Sequence, residues 1–215
     1  MENEKNKNFD MAIITVCGHK KRFEKTVRGT GENTKTKGLL YVSVDTTFGG
    51  NKETQTFRFD IWDEDMMKRV EDIPKNAKIR VTAKPSNYNY ERDGEKFHSY
   101  DLTVLSVNPY SGKECAEFSF RGRLVADAEL GTQPGKPYLT FRLASNVGKP
   151  VYIHMRHYNY GTGFQSFGLK GMAVSAEGYV KRNLDDNTYS FFATGVWSNE
   201  PNCLFVPEPI FLVEE

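Results

Sequence analysis

Cysteine is scarce in this sequence. The 215 residues include only three, Cys17, Cys115 and Cys203, and no two of them form a Cys-x-x-Cys pair. An odd number of widely separated cysteines does not predict a disulfide framework, and without close pairs there is no cysteine-based zinc motif. The cysteine usage therefore predicts reduced thiols, as in a cytoplasmic protein.

Long apolar segments are missing as well. No apolar run reaches the length that spans a membrane, and the first residues, MENEKNKNFD, lack the apolar region of a signal peptide. We therefore expect a soluble intracellular protein without a membrane partner.

An excess of either charge is also absent. Lys and Arg number 29, Asp and Glu 28, and the formal net charge is +1. Phosphate contacts supply most of the non-specific affinity of nucleic-acid binders, so a binder with this balance must gather its cations on one face. The net charge alone therefore does not favour nucleic-acid binding. A prediction of that function must depend on local sequence patterns.

Short segments of alternating polar and apolar residues, separated by Gly and Asn turns, predict an all-β chain. A polar stretch, His19 to Lys37, follows the first strand with seven basic and two acidic residues, and is either an arm that contacts phosphates or a solvated loop. Asp63 to Ile73 predicts a short helix with Asp63 as its N-cap. The predicted strands are 12–17, 39–47, 54–62, 78–84, 97–107, 116–125, 137–146, 150–158, 171–181 and 187–197.

The order strand, long loop, two strands, short helix and two strands is that of an OB fold, and it occurs twice. The sequence therefore predicts two tandem OB-fold domains, each a five-stranded Greek-key barrel. Their predicted ranges are 10–108 and 114–200, with a tail at 1–9 and another at 201–215. The second domain has a Gly-rich segment, 159–170, at the helix position, which argues against a helix there.

A resemblance is found at Ala116 to Asn146. The residues Gly122-Arg123-Leu124, Asp127, Glu129-Leu130, Gly135-Lys136 and Phe141 to Asn146 resemble the opening of bacterial-type single-stranded DNA-binding proteins. In the first half, Phe57 to Ala83 looks like the third strand, helix and fourth strand of that family. The resemblance implies OB barrels that bind single-stranded DNA with little sequence preference, without catalysis, cofactor or metal.

Strand alternation predicts which side chains of the first domain face a ligand. Phe57, Phe59 and Ile61 are the apolar set of their strand, so Arg58 and Trp62 point outward. The resemblance implies that an aromatic side chain at the position of Trp62 stacks on a base, although Trp62 could instead cover the helix that follows. Tyr88, Tyr90 and Arg92 lie in a loop that, in the family, reaches across the bound strand; simple solvent exposure is the alternative.

The second domain has more outward-facing rings and cations. Val151, Ile153 and Met155 predict the inward face of their strand, and its outward face then forms a platform for bases and phosphates, or an inter-subunit patch. The predicted nucleic-acid-binding residues of this domain are Tyr138, Arg142, Tyr152, His154, Arg156, Tyr158 and Lys181.

Other chemistries have weaker patterns. Asp60, Asp63, Glu64 and Asp65 could suggest a metal-dependent nuclease, but acids at a helix start more often cap it. Residues 29–36, GTGENTKT, lack the second glycine of a P-loop. His154 and His157 should face opposite sides of a strand, which disfavours zinc. A protein-interaction module that uses the same aromatic faces is a further alternative.

The resemblance also implies partners. Relatives commonly assemble four OB folds, so two per chain predicts a homodimer. The short ending CLFVPEPIFLVEE either docks replication or recombination proteins or packs on the second barrel. It fits a phage or plasmid protein acting in a bacterial host, in the cytoplasm or at the nucleoid.

Overall fold

A computed structural model describes residues 10–29, 34–48, 51–92, 94–133, 136–158, 168–183 and 188–198. The elements are β1 Met11–Arg28, β2 Lys35–Phe48, β3 Asn51–Ile61, α1 Glu64–Asp72, β4 Lys78–Arg92, β5 Glu95–Pro109, β6 Cys115–Leu124, β7 Glu129–Gln133, β8 Lys136–Val147, β9 Lys149–His157, β10 Ala173–Arg182 and β11 Tyr189–Ser198.

The chain folds into two compact units, which we call the N-terminal and C-terminal units. The N-terminal unit contains residues 13–118 and 180–189, and the C-terminal unit contains residues 10–12, 119–179 and 190–198. Residues 180–189, which lie in the second predicted domain, thus group with residues 13–118.

The N-terminal unit is a closed barrel. Its strands are hydrogen-bonded in the order β2-β3-β5-β4-β1, and pairing of β1 with β2 closes the circuit. The pairs are antiparallel except β3 with β5, which run parallel with Asp60 opposite Thr103. This is the five-stranded Greek-key barrel of the OB fold, as predicted.

The C-terminal unit repeats the circuit. Its strands follow the order β6-β10-β11-β9-β8, with β6 also paired to β8. The parallel contact recurs between β9 and β11, where Phe191 lies opposite Met155. The prediction of two OB folds in an all-β chain is therefore confirmed.

Strand alternation fills both barrels. In β3, Phe57, Phe59 and Ile61 are at most 1% exposed. The predicted inward set of β9, Val151, Ile153 and Met155, is at most 2% exposed, and so are Leu139, Phe141 and Leu143 of β8. Since successive side chains of a strand point to opposite faces, the residues between them are directed outward.

The predicted helix is confirmed. The Asp63 carboxylate accepts a hydrogen bond from Met66 N at 2.7 Å, which caps the first turn, and two acids follow it. Met66, Met67 and Val70 form the buried side, as expected. Asn76 makes the next turn with a φ of 65°.

Three regions predicted as loops contain strands. The basic stretch 19–37 is largely a hairpin, because β1 continues to Arg28 and pairs with β2 up to Lys35. Similarly, β4 and β5 continue beyond Pro85 to the hairpin tip at Gly94. Residues 129–133, which lie between the predicted strands 116–125 and 137–146, form β7, which pairs with β8. Polar and Gly-rich composition predicts loops, but two strands exposed on both faces can have the same composition.

Several predictions fall outside the described residues. These are the tails 1–9 and 201–215 with Cys203, and most of the Gly-rich segment 159–170.

Two cysteines that are distant in sequence are neighbours in the N-terminal unit. Burial, together with a hydrogen bond to Cys17, raises the pKa of the Cys115 thiol to about 12. Both are free cysteines. At neutral pH Cys115 is therefore a thiol rather than the reactive thiolate.

Lys20, from the basic stretch, caps the carboxyl end of α1. It is 6% exposed, and its Nζ donates to the carbonyl oxygens of Val70 at 2.6 Å, Glu71 at 3.3 Å and Ile73 at 2.5 Å. Burial lowers the pKa of Lys20, against the opposing effect of the Glu71 and Asp72 carboxylates. The ammonium satisfies carbonyls that the end of a helix leaves without partners.

Replacing Lys20 by Met should lower the free energy of unfolding by about 2 kcal/mol, because buried carbonyls lose a charged donor. Urea unfolding followed by circular dichroism measures the loss. Lys21→Met, which removes an exposed charge next to it, is the matched control and should change stability little. Equal losses in both variants would contradict the capping role.

Candidate nucleic-acid interface

The outer face of β8 and β9 brings together most of the residues predicted in the second domain. The antiparallel register places Thr140 opposite Arg156, Arg142 opposite His154, and Ala144 opposite Tyr152. All of these positions alternate with buried residues of the barrel core. One surface therefore carries rings and cations on two neighbouring strands.

Diagonal contacts tie these side chains together. The guanidinium carbon of Arg142 lies 5.0 Å from the ring centroid of Tyr152, and that of Arg156 lies 5.5 Å from the ring of Tyr138. The Oγ1 of Thr140 is 2.5 Å from Nε2 of His154. Cations over aromatic faces hold rings and charges in fixed positions on the surface.

Four aromatic rings, which we call the aromatic row, cross this unit from β8 to β10. The centroid of Tyr138 is 5.3 Å from that of Tyr158, Tyr158 is 6.1 Å from Phe192, and Phe192 is 5.1 Å from Tyr179. The last two pairs are stacked, with interplanar angles of 24° and 18°. All four rings are half-buried, so each keeps part of its surface toward solvent.

Phe192 and Tyr179 were not predicted, although strand alternation could have found them. Phe191 and Ala193 are buried in β11, and Ala176 and Val180 are buried in β10. Phe192 and Tyr179 lie between these inward positions, where a large ring is not needed for the core.

Gly131 makes room for one end of the aromatic row. A Cβ placed on this β7 residue would lie 2.4 Å from Cε2 of Tyr138. Any larger residue would therefore displace the Tyr138 ring.

The electrostatics of this face are positive. Burial, and then the charges of Arg156 and Arg142, lower the pKa of His154, while the Glu129 carboxylate opposes them. His154 therefore favours its neutral form beside two permanent cations. Among the described residues, no carboxylate lies within ion-pair distance of Arg142 or Arg156.

Trp62 is the most distinctive aromatic residue of the N-terminal unit. It follows β3 directly and is 46% exposed. The predicted Arg58 lies on the same strand and binds the Asp101 carboxylate at 3.0 Å. Opposite Arg58 in the register is Tyr41, and the guanidinium of Arg22 lies 3.9 Å from the Tyr41 ring. This stacked pair was missed, because only cross-strand pairing reveals it.

The three residues predicted in a loop of the first domain, Tyr88, Tyr90 and Arg92, are only partly described. Tyr88 is a β4 residue and is 47% exposed. Tyr90 and Arg92 pair through their backbones with Phe97 and Glu95, and their side chains lie outside the described part of the structure.

Other predicted or candidate cations have acidic partners. Lys181 binds the Glu53 carboxylate at 2.8 Å, and in the basic stretch Lys25 binds Glu71 at 2.6 Å. Lys37 is paired with Asp60. A phosphate would have to compete with these carboxylates.

The described residues contain no group of three or more His, Cys, Asp or Glu side chains that could hold a metal ion. His157 is 6% exposed with Nδ1 2.7 Å from the Ala193 carbonyl oxygen, whereas His154 is on the outer face. Within the described part of the chain, no helix is long and apolar enough to cross a membrane.

No protein-family model matches the sequence, and no curated protein matches it. Solved structures do match its fold. The wild-type single-stranded DNA-binding protein from Thermus aquaticus superposes with a TM-score of 0.68 at 15% identity, covering 92% of this chain and 97% of that one. A deletion mutant of the same protein gives 0.67 at 17% identity, with coverages of 93% and 98%. Over nearly its whole length, this chain has the fold of a single-stranded DNA-binding protein.

Proposed function

We propose that this chain binds single-stranded DNA with little sequence preference. The observation that carries the proposal is the aromatic row, in which Arg156 lies over the Tyr138 ring, together with Arg142 over the Tyr152 ring on the outer face of β8 and β9. Every base has a flat π-face, so protein rings stack on any sequence, at about 1–3 kcal/mol per base. Arginines among the rings suit the phosphates between successive bases.

Two further observations support this function. The fold likeness covers nearly the whole of both chains, and the matching proteins are named for binding single-stranded DNA. In addition, the N-terminal unit exposes Trp62 and Tyr88. Neither ring fills a barrel core.

The biological role that we propose is to coat and protect single strands during replication, recombination or repair, without catalysis. A bacterial cytoplasm or nucleoid, with a phage or plasmid origin, fits this role. We further propose a homodimer, which light scattering tests, and docking of replication or recombination proteins by the tail 201–215.

Titration with oligo(dT) tests the binding proposal. Bases that stack on Trp62 and Trp197 should quench tryptophan emission, and the association constant should fall with salt by about 0.7 logarithmic units per phosphate neutralised. Fluorescence titrations at several salt concentrations measure both effects. Unchanged emission with no binding would favour the rival function, a protein-interaction module with the same aromatic faces. Cleavage of a labelled single strand in Mg²⁺ would instead indicate a nuclease.

The aromatic row should contribute through its rings. Tyr158→Leu and Phe192→Leu keep apolar volume but remove the π-face, so each should weaken oligo(dT) binding by about 1–2 kcal/mol without unfolding the protein. Leu169→Ala is the control, because it shortens an apolar side chain that is 56% exposed. Leu169 precedes the first residue of β10, whereas Tyr179 of the aromatic row lies near the last residue of that strand. If all three variants bind like the parent protein, the row is only a packing feature.

His154 should make binding tighter in acid. Its pKa is lowered by burial and by Arg156 and Arg142, so at neutral pH it is mostly neutral and adds no charge. A nearby phosphate favours the imidazolium, so affinity should rise as pH falls below the ordinary histidine value of about 6.5. Titrations between pH 7 and 5 measure this rise, and His154→Gln should remove it. An identical pH profile in the variant would exclude His154 from the interface.

A further inference from the structure

A buried cation lies beneath the exposed Trp62. Lys37 is 7% exposed and binds the carboxylate of Asp60, which is 3% exposed. The same Nζ lies 5.3 Å from the centroid of the Trp62 ring. The ammonium is thus held by a carboxylate and also faces an indole.

The strand register accounts for this arrangement. In the antiparallel pairing of β2 with β3, Leu39 lies opposite Asp60 and Gly38 lies opposite Ile61. Lys37 precedes Gly38 and Trp62 follows Ile61, so these two residues come next to each other across the pair. Asp60 is the next-to-last residue of β3 and Trp62 directly follows the strand; because they are two residues apart, their side chains are directed to the same face. The three side chains therefore converge on one face of the barrel.

Stability does not explain why an ion pair is buried here. Replacing a buried pair by apolar residues is often neutral or stabilising, because desolvation of two charges offsets their attraction. In addition, Oδ1 of Asp60 has no hydrogen-bond partner within the described part of the structure, which adds a further cost. A buried ion pair that adds so little to the stability of the fold is better explained by an effect on a neighbouring side chain.

We propose that Lys37 and Asp60 are positioning residues for Trp62. Asp60 fixes the ammonium, the ammonium attracts one face of the indole, and the other side remains open to a base. The ring is then ordered before DNA arrives, so stacking does not have to immobilise it. This inference rests on the proposed function, and it names how one of its stacking residues is prepared.

A second consequence separates this role from ordinary phosphate binding. Lys37 is buried and its charge is matched by Asp60, so it releases no counterion when DNA binds. Removing it should lower affinity through Trp62 and leave the salt dependence unchanged. A lysine that contacts phosphate would instead reduce the salt slope by about 0.7.

The test uses the full chain with Trp197→Phe, so that only Trp62 emits. In this background Lys37→Met with Asp60→Asn removes both charges and leaves no lone buried ion. Lys37→Arg keeps a cation, and Lys35→Met removes an exposed charge from the same strand as the matched control. Fluorescence anisotropy decay measures the freedom of the ring, and oligo(dT) titrations at several salt concentrations measure affinity and slope.

We expect the double variant to show a freer Trp62 and about threefold to tenfold weaker binding at an unchanged salt slope. Lys37→Arg keeps the cation, so this variant should retain both the ring order and the affinity of the Trp197→Phe protein. Lys35→Met should leave the motion of the Trp62 ring unchanged. Unaltered ring motion, or a slope that falls in the double variant, overturns the proposal.

Failure of the double variant to fold and failure of the protein to bind oligo(dT) have different meanings. If the double variant fails to fold, the fluorescence anisotropy decay of the Trp197→Phe protein decides. A large fast component shows that the Trp62 ring moves freely and overturns the proposal, whereas its absence shows an ordered ring and supports it. If that folded protein does not bind oligo(dT), the proposed function fails, while the anisotropy still reports whether Lys37 orders the ring.

Discussion

The two-residue period of a β-strand is the constraint on which this structure depends. A small closed barrel must fill its interior with one face of every strand, and Phe57, Phe141 and Ile153 meet that requirement while at most 2% exposed. The other face is then free of any role in the core. Rings and cations can accumulate there without loss of the fold, and this is where the aromatic row lies.

The same period explains which parts of the fold could be predicted. Strands such as β6, β8 and β9 have one buried and one wet face, so their alternation is clear in the sequence. The hairpin arms of β1 with β2 and of β4 with β5 have the polar composition of loops, and their alternation is weaker in the sequence. β7 was not predicted because a glycine such as Gly131 between two strands is typical of a turn, whereas in the structure Gly131 makes room for the Tyr138 ring.

The sequence predicts the face to which the side chains of the site point, but not the residues that they contact. Alternation predicts that Tyr152, His154 and Arg156 point outward, and the register then decides which residues of β8 they meet. Neither the stacking of Arg22 on Tyr41 nor the capping of α1 by Lys20 has a local signal, because the partners are distant in sequence. Whether a lysine in a basic stretch serves a ligand or the fold depends on tertiary contacts that composition does not contain.

Those contacts make the two units unequal. In the N-terminal unit, Lys25 and Arg58 have carboxylate partners, and Lys37 holds a ring through a buried pair. In the C-terminal unit, Arg142 and Arg156 instead lie over tyrosine rings, and neither has an acidic partner among the residues that the structure describes. With a net charge of only +1, a surface can attract phosphates only where the cations lack acidic neighbours. The electrostatic part of any binding to DNA should therefore arise mainly from the C-terminal unit, while the N-terminal unit contributes mainly through an ordered Trp62.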